Sequence, residues 1–249
     1  MLASIVLAAA VVLPTPGTYT YRIATPGATF TSTIVVALAF DGVWTHETFG
    51  APDPIAQTDQ HFHSSLTQRS FAGAQAGRAL TIDISDNSAH YSIDGHNADV
   101  PLDHPACTLI EDNILTSSLM LPAVVQASQA TQCTFVVSTS PKTIVADVIT
   151  TPPSTHPAQA AASDAAVTIH LASITETVWY DAETLIPDYI DFGYGQSATL
   201  TSRSTSTTMP TPAATATPLT NPEPSMPPSP NRPRSLSRLH DMVEKCLLR

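Results

Sequence analysis

The chain has 249 residues, 43% hydrophobic and 12% charged, a balance that excludes both a wholly disordered polyanion and a membrane-embedded protein. Its net charge of −11 is unevenly placed: residues 1–202 hold four basic residues (Arg22, Arg69, Arg78, Lys142) against eighteen acidic ones, a net of −14. Nucleic-acid binding rests on clustered Lys and Arg, so a body this acidic excludes nucleic acid as a partner.

The first stretch, Leu2 to Val12, is apolar and rich in small residues, and is shorter than the about 20 residues of a transmembrane helix. Ala8 and Ala10 form an A-x-A-like cleavage site ahead of Pro14-Thr15-Pro16-Gly17. Residues 1–16 therefore read as an export signal, which places the protein in the periplasm, the cell envelope or outside the cell. No Lys or Arg precedes the apolar run, so the alternatives are a start codon further upstream or a buried first strand.

From Thr18 the pattern has period two, with Tyr19, Tyr21 and Ile23 on one face. Phe30, Ser32, Ile34, Val36, Leu38 and Phe40 then alternate against Thr29, Thr31, Thr33, Val35, Ala37 and Ala39, a second face small enough to pack closely or line a shallow cavity. Asp41-Gly42 predicts a tight hairpin turn, with Val43–Phe49 returning. A long strand is expected over Thr58–Phe71, and shorter ones over Leu80–Ile84 and His90–Ile93, followed by a turn at Asp94-Gly95. Leu109, Ile110, Ile114, Leu115, Leu119 and Met120 recur near helical spacing until Pro122, which predicts one short helix within Leu109–Gln126. Strands resume at Cys133–Ser138, Thr143–Thr150, Val167–Leu171, Thr175–Tyr180, Pro187–Phe192 and Ala198–Thr201.

Cys107 and Cys133 flank the helical insert and Cys246 is left over. The first two form either a disulfide stapling the insert to the sheet or two half-buried thiols. The fold expected is thus mostly β, a curved antiparallel sheet or open barrel over residues 17–203 with one short helical insert. Residues 204–234 are a Pro/Thr/Ser-rich disordered linker. In residues 235–249, Leu236, Leu239, Met242, Val243, Cys246 and Leu247 share one helical face beside Arg238, Lys245 and Arg249. A basic amphipathic helix of this kind lies on a membrane surface; a marginal peptide or a shifted reading of the gene is the plainer alternative.

No catalytic set is present: there is no G-x-S-x-G elbow, no phosphate-cradling Gly-rich loop and no Cys beside a matched His. His61 and His63 share a strand face, and His46 could supply a third metal ligand, but the spacing lacks a carboxylate or cysteine to reinforce it. Solvent-facing polar positions explain the pair equally well. The expectation is a protein that is not an enzyme, with no cofactor and no metal, a metal-dependent hydrolase being the least favoured reading.

Val178-Trp179-Tyr180-Asp181-Ala182-Glu183-Thr184-Leu185-Ile186-Pro187 resembles the late hairpin of exported bacterial domains of unknown function, in which an aromatic-Tyr-Asp turn precedes a Leu-x-Pro strand. An ordinary hairpin is the plainer reading of the same residues. The resemblance extends in outline from Gly17 to Thr201, only this segment being specific. Such domains are similar in outline to the lipoprotein carriers LolA and LolB, curved antiparallel sheets with an apolar concave face. No carrier residue maps individually onto this chain. The export-like start, the long alternating strands and the lack of a catalytic set lead to a cell-envelope binding module for a lipid or another apolar ligand, with Phe30, Ile34, Val36, Leu38, Phe40, Trp179 and Tyr189 as candidate cavity residues, any of which could equally be plain core. The alternative is a non-catalytic structural or interaction domain tethered by its C-terminal tail.

Overall fold

The computed structural model describes residues 11–50, 55–75, 78–93, 95–111, 115–171 and 174–205. Most of the expected export signal, the Pro/Thr linker and the C-terminal amphipathic stretch lie outside the described residues.

Two runs of neighbouring strands make the sheet. The first is β1 (Gly17–Thr25), β2 (Ala28–Ala39), β3 (Gly42–Phe49), β4 (Ala56–His63), β5 (Gln68–Gln75), β6 (Arg78–Ile84), β7 (Ser88–Ile93) and β8 (His96–Pro101). The second follows β9 (Thr108–Glu111) and helix α1 (Thr116–Ser128): β10 (Gln132–Val137), β11 (Thr143–Ile149), β12 (Ala165–Leu171), β13 (Ile174–Tyr180), β14 (Pro187–Gly193) and β15 (Gln196–Ser204). β1 pairs with β15, which joins the two runs into one fifteen-stranded sheet of order β8-β7-β6-β5-β4-β3-β2-β1-β15-β14-β13-β12-β11-β10-β9. Every pairing is antiparallel except β9 with β10.

Chain length forces this sheet to curl. β8 and β9 are its opposite edges, yet only residues 102–107 connect them. That link reaches at most about 25 Å, whereas fifteen flat strands would spread over about 65 Å. The edges therefore approach without forming a ladder, and side chains bridge the gap. The Ile110 N–H of β9 donates to Gln68 Oε1 of β5 at 2.9 Å. The Tyr91 hydroxyl of β7 is shared between the carbonyls of Val137 at 3.0 Å and Lys142 at 3.1 Å. Phe71, Ile82, Tyr91 and Leu102 pack with Ile110 and Val136 beneath that seam.

The concave side is filled by α1. Thr116 to Val125 are all buried, and a helix buried on every side needs a surrounding wall. Tyr19, Tyr21, Ile34, Val36, Val43 and Phe62 from one run of strands, and Val167, Ile169, Val178 and Ile190 from the other, pack in one cluster with Leu119, Met120 and Val124.

Four expectations need correction. The single strand over Thr58–Phe71 is two, β4 and β5, joined by a turn in which Leu66 takes φ 60° with its side chain buried. That turn holds no Gly, Pro, Asn or Asp; it is fixed by hydrogen bonds from Leu66 N to His63 O (2.7 Å) and from His63 N to Thr67 O (2.9 Å), and by burial of the leucine. The Leu109–Gln126 helix is a strand and a helix: Leu109 and Ile110 belong to β9, and Pro122 lies inside α1 instead of ending it. The hairpin turn is Phe40-Asp41, one residue earlier than expected, and Gly42 opens β3. Glycine is required there because β4 passes so close that a Cβ would overlap the Phe62 carbonyl oxygen. Finally, β8 was not anticipated; His96-Asn97-Ala98-Asp99 has too few apolar residues to read as a strand.

Cys107 and Cys133 form a disulfide, with Cα atoms 4.7 Å apart. It ties the residue before β9 to β10, so the segment carrying α1 is a covalently closed loop. Such bonds form and persist in oxidising, extracytoplasmic compartments.

Candidate functional site

The chemistry-bearing residues of the interior gather where α1 begins. Along β3 the inward positions are Val43, Thr45, Glu47 and Phe49, so a carboxylate stands in an otherwise weakly polar row facing the helix. The first turn of α1 has no acidic residue, and its N-cap position, Leu115, offers no capping side chain. Glu47 supplies both from another strand. Its Oε2 accepts from Thr116 N at 2.8 Å and Thr116 Oγ1 at 2.8 Å, and its Oε1 accepts from Leu115 N at 3.0 Å and from the Ser32 hydroxyl. Helix N-termini leave N–H groups unpaired and carry partial positive charge, so a carboxylate there is favoured. Complete burial of Glu47 acts the other way and raises its pKa above the ordinary glutamate value, the four donors pulling it partly back.

Around this anchor the interior stays polar. Thr58 is opposite Glu47 and Gln60 opposite Thr45 across the β3–β4 ladder. The hydroxyls of Thr45 and Thr58 are buried without a hydrogen-bond partner, while Gln68 Nε2 donates to Gln60 Oε1 at 2.6 Å. On the other wall Ser118 of α1 hydrogen-bonds Glu176 of β13, whose Oε1 is shut from solvent without a partner. Burial first, and then the charges of Glu111 and Asp191, push Glu176 up to about 7. Glu111 is also raised by burial, with Lys142 opposing.

A folded-state pKa above the unfolded one means that Glu176 favours the fold when protonated. Its contribution is complete below about 4.5 and is lost as pH rises toward about 7. Glu176→Gln is expected to flatten that loss and to stabilise the protein by about 1–3 kcal/mol above that range. Urea titrations of both proteins across this pH window check it; equal pH slopes would count against a proton-linked Glu176.

The seven candidate cavity residues do not share one surface. Ile34 and Val36 are buried against the helix, and Phe30 and Leu38 pack at the margin of that cluster, with Phe30 and Phe49 ring centroids 5.4 Å apart. Phe40 is fully exposed in the β2–β3 turn. Trp179 and Tyr189 face away from the helix, because their neighbours Val178 and Ile190 are the ones in the core. His156, from the segment before β12, covers Trp179 with ring centroids 4.5 Å apart.

His61 and His63 share the convex face of β4 with ring centroids 5.8 Å apart, and His46 of β3 is held elsewhere on that face. His46 Nδ1 pairs with Asp59 at 2.8 Å, and that hydrogen bond chiefly raises its pKa. His61 stacks on Trp44 at 4.1 Å and stands 3.4 Å from Asp41, burial lowering its pKa. Among the described residues no group of three or more His, Cys, Asp or Glu is placed to hold a metal ion. In the late hairpin, Asp181 Oδ1 accepts from Glu183 N at 2.8 Å and Thr184 N at 3.0 Å, so that motif is a self-capped turn.

No family model matches this chain, and no curated protein matches it. Among solved structures it is similar to the β-barrel-like protein of the domain of unknown function DUF1849 from Brucella abortus. The two are 11% identical, the match covers 77% of this chain and 98% of that one, and the TM-score is 0.42.

Sequence reasoning missed Glu47 and Glu176. The available signal was a glutamate on the inward phase of a strand, Glu47 with Val43 and Phe49, and Glu176 with Val178. Alternation marks such a residue as buried but does not say which donor it meets.

Proposed function

We propose that the body is a non-catalytic binding module of an extracytoplasmic compartment, taking a lipid or other apolar ligand on its concave face in exchange for α1. The observation that carries this reading is that the sheet stays open at the β8–β9 seam while its apolar concave face is covered by one helix held at its N-terminus by a strand carboxylate. Two further features support it. The disulfide closes the base of the α1 loop, so the helix could leave its seat while the segment stays attached to the sheet. Phe30, Ile34, Val36 and Leu38 would then present an apolar strip interrupted by Ser32, an apolar concave surface of the kind that the LolA/LolB-like resemblance implies.

The test is direct. The full chain, purified from a bacterial host without detergent, is expected to carry lipid detectable by mass spectrometry and to bind a fluorescent fatty acid that the extracted lipid displaces. A protein that emerges empty and ignores the probe would overturn the exchange. It would favour the second reading, a solid structural or interaction domain tethered by its tail, which the complete burial of Leu119 and Met120 supports.

A further inference from the structure

The curl that brings β8 and β9 together also builds a cleft on the rim of the sheet, separate from the concave face. It is formed by the β4–β5 turn, the start of β5, the β6–β7 turn and the segment before β9, and has a volume of about 310 Å³. Its polar groups are the hydroxyls of Ser65, Thr67 and Ser85, the guanidinium of Arg69 and the carboxylate of Asp86. Ile84 and Pro105 supply apolar wall. The floor is held from two sides: Gln68 is tied to β9, and Cys107, next to the lining residue Ala106, is in the disulfide.

Three properties of this group restrict what it can take. Arg69 Nη1 and Asp86 Oδ1 stand 3.4 Å apart, with the two side chains 36% and 89% exposed, a pair too wet and too long to hold firmly. A ligand can therefore come between them. The pair leaves the cleft with a donor fork beside an acceptor and no net charge. The hydroxyls are partly committed but none has both lone pairs taken: Ser65 Oγ and Thr67 Oγ1 bond each other at 3.1 Å, and Ser85 Oγ donates to the Ser88 carbonyl at 3.1 Å and stands 2.8 Å from Ser88 Oγ, so each keeps acceptor capacity. The body as a whole is strongly acidic, which opposes a freely anionic ligand.

We infer that this rim cleft binds a neutral polyol, a mono- or disaccharide unit, one of whose hydroxyl groups accepts from Arg69 while another donates to Asp86. A sugar hydroxyl does both jobs; a hydrocarbon does neither, and a carboxylate or fully ionised phosphate group has no proton to give Asp86. The apolar C–H face of a pyranose suits Ile84 and Pro105, and the volume lies at the lower limit of small-molecule sites, about 300 Å³. This site is independent of the exchange of α1: either can fail while the other stands.

The experiment is an NMR titration of the isotope-labelled full chain with glucose, N-acetylglucosamine, maltose and cellobiose, and in parallel with glucuronate and inorganic phosphate. Saturable shifts at the Arg69 side chain and the Ser85 amide are expected with at least one neutral sugar, at concentrations on the order of 1 mM and without marked salt dependence. Arg69→Ala and Asp86→Asn should each weaken that sugar at least about tenfold, with unchanged thermal unfolding showing that both variants fold. Absence of saturation with every neutral sugar overturns the inference. So does preferential, salt-sensitive binding of phosphate or glucuronate that survives in Asp86→Asn, since that would be an anion site on Arg69.

Discussion

Glu47→Ala is expected to destabilise the protein by about 3–5 kcal/mol. The cost does not come from lost volume alone. Removing the carboxylate leaves Leu115 N, Thr116 N, the Thr116 hydroxyl and the Ser32 hydroxyl facing a dry cavity, and each unpaired buried donor carries a penalty of about 1–3 kcal/mol, not all of them additive. Glu47→Gln separates shape from charge. The amide fills the same space but turns an NH2 toward one pair of donors, so about 1–3 kcal/mol should be lost even though packing is kept. Equilibrium urea unfolding of the three proteins at one pH gives the ranking, wild type above Gln above Ala. Hydrogen exchange locates the effect: the amides of α1 should lose protection before those of β1 and β15. If Gln matched the wild type in both measurements, the anchor would be packing and not charge-assisted hydrogen bonding.

Replacing both Cys107 and Cys133 by Ala is expected to cost about 3–4 kcal/mol, the chain-entropy value for a closed loop of this length. For a body of this size that corresponds to a fall in melting temperature of about 10 °C. The location of the bond sharpens the expectation. It pins β9 to β10 at the point where the chain crosses from one sheet edge to the other, so the variant should open first at the seam. Calorimetry with and without reductant measures the fall, and reductant should move the wild type toward the double-alanine protein while leaving the latter unchanged. A wild type insensitive to reductant, with its thiols free to alkylation, would remove the bond and the compartment reading that rests on it.

How much of this was legible beforehand follows the range of the interactions. The strands β1 to β3 and β10 to β15 could be read because alternation is local: Tyr19, Tyr21, Ile34, Val36, Val178 and Ile190 advertise their buried face by spacing alone. Turns whose chemistry resides in the turn residues were legible too, as at Asp181-Ala182-Glu183-Thr184, where the aspartate caps its own loop. The Ser64–Thr67 turn was not, because what holds Leu66 at φ 60° is the pocket its side chain fills, and no neighbour in sequence announces that.

The same distinction separates the two candidate sites from the residues first suspected. Sequence alternation placed Phe30, Ile34, Val36 and Leu38 on one face, and the fold keeps them there; it had no means of knowing that Trp179 and Tyr189 face the other way, since that phase depends on the bulge after Trp179 and on which side the core forms. What the sequence determined by itself is the mostly β body, the positions of most strands, its acidic charge and the two cysteines available to one another. What only the tertiary structure decided is how the two sheet edges meet at the β8–β9 seam, the partners of Glu47 and the rim cleft. Each of those joins residues tens of positions apart, such as Glu47 with Thr116, and is set by a connection too short to let a fifteen-stranded sheet lie flat.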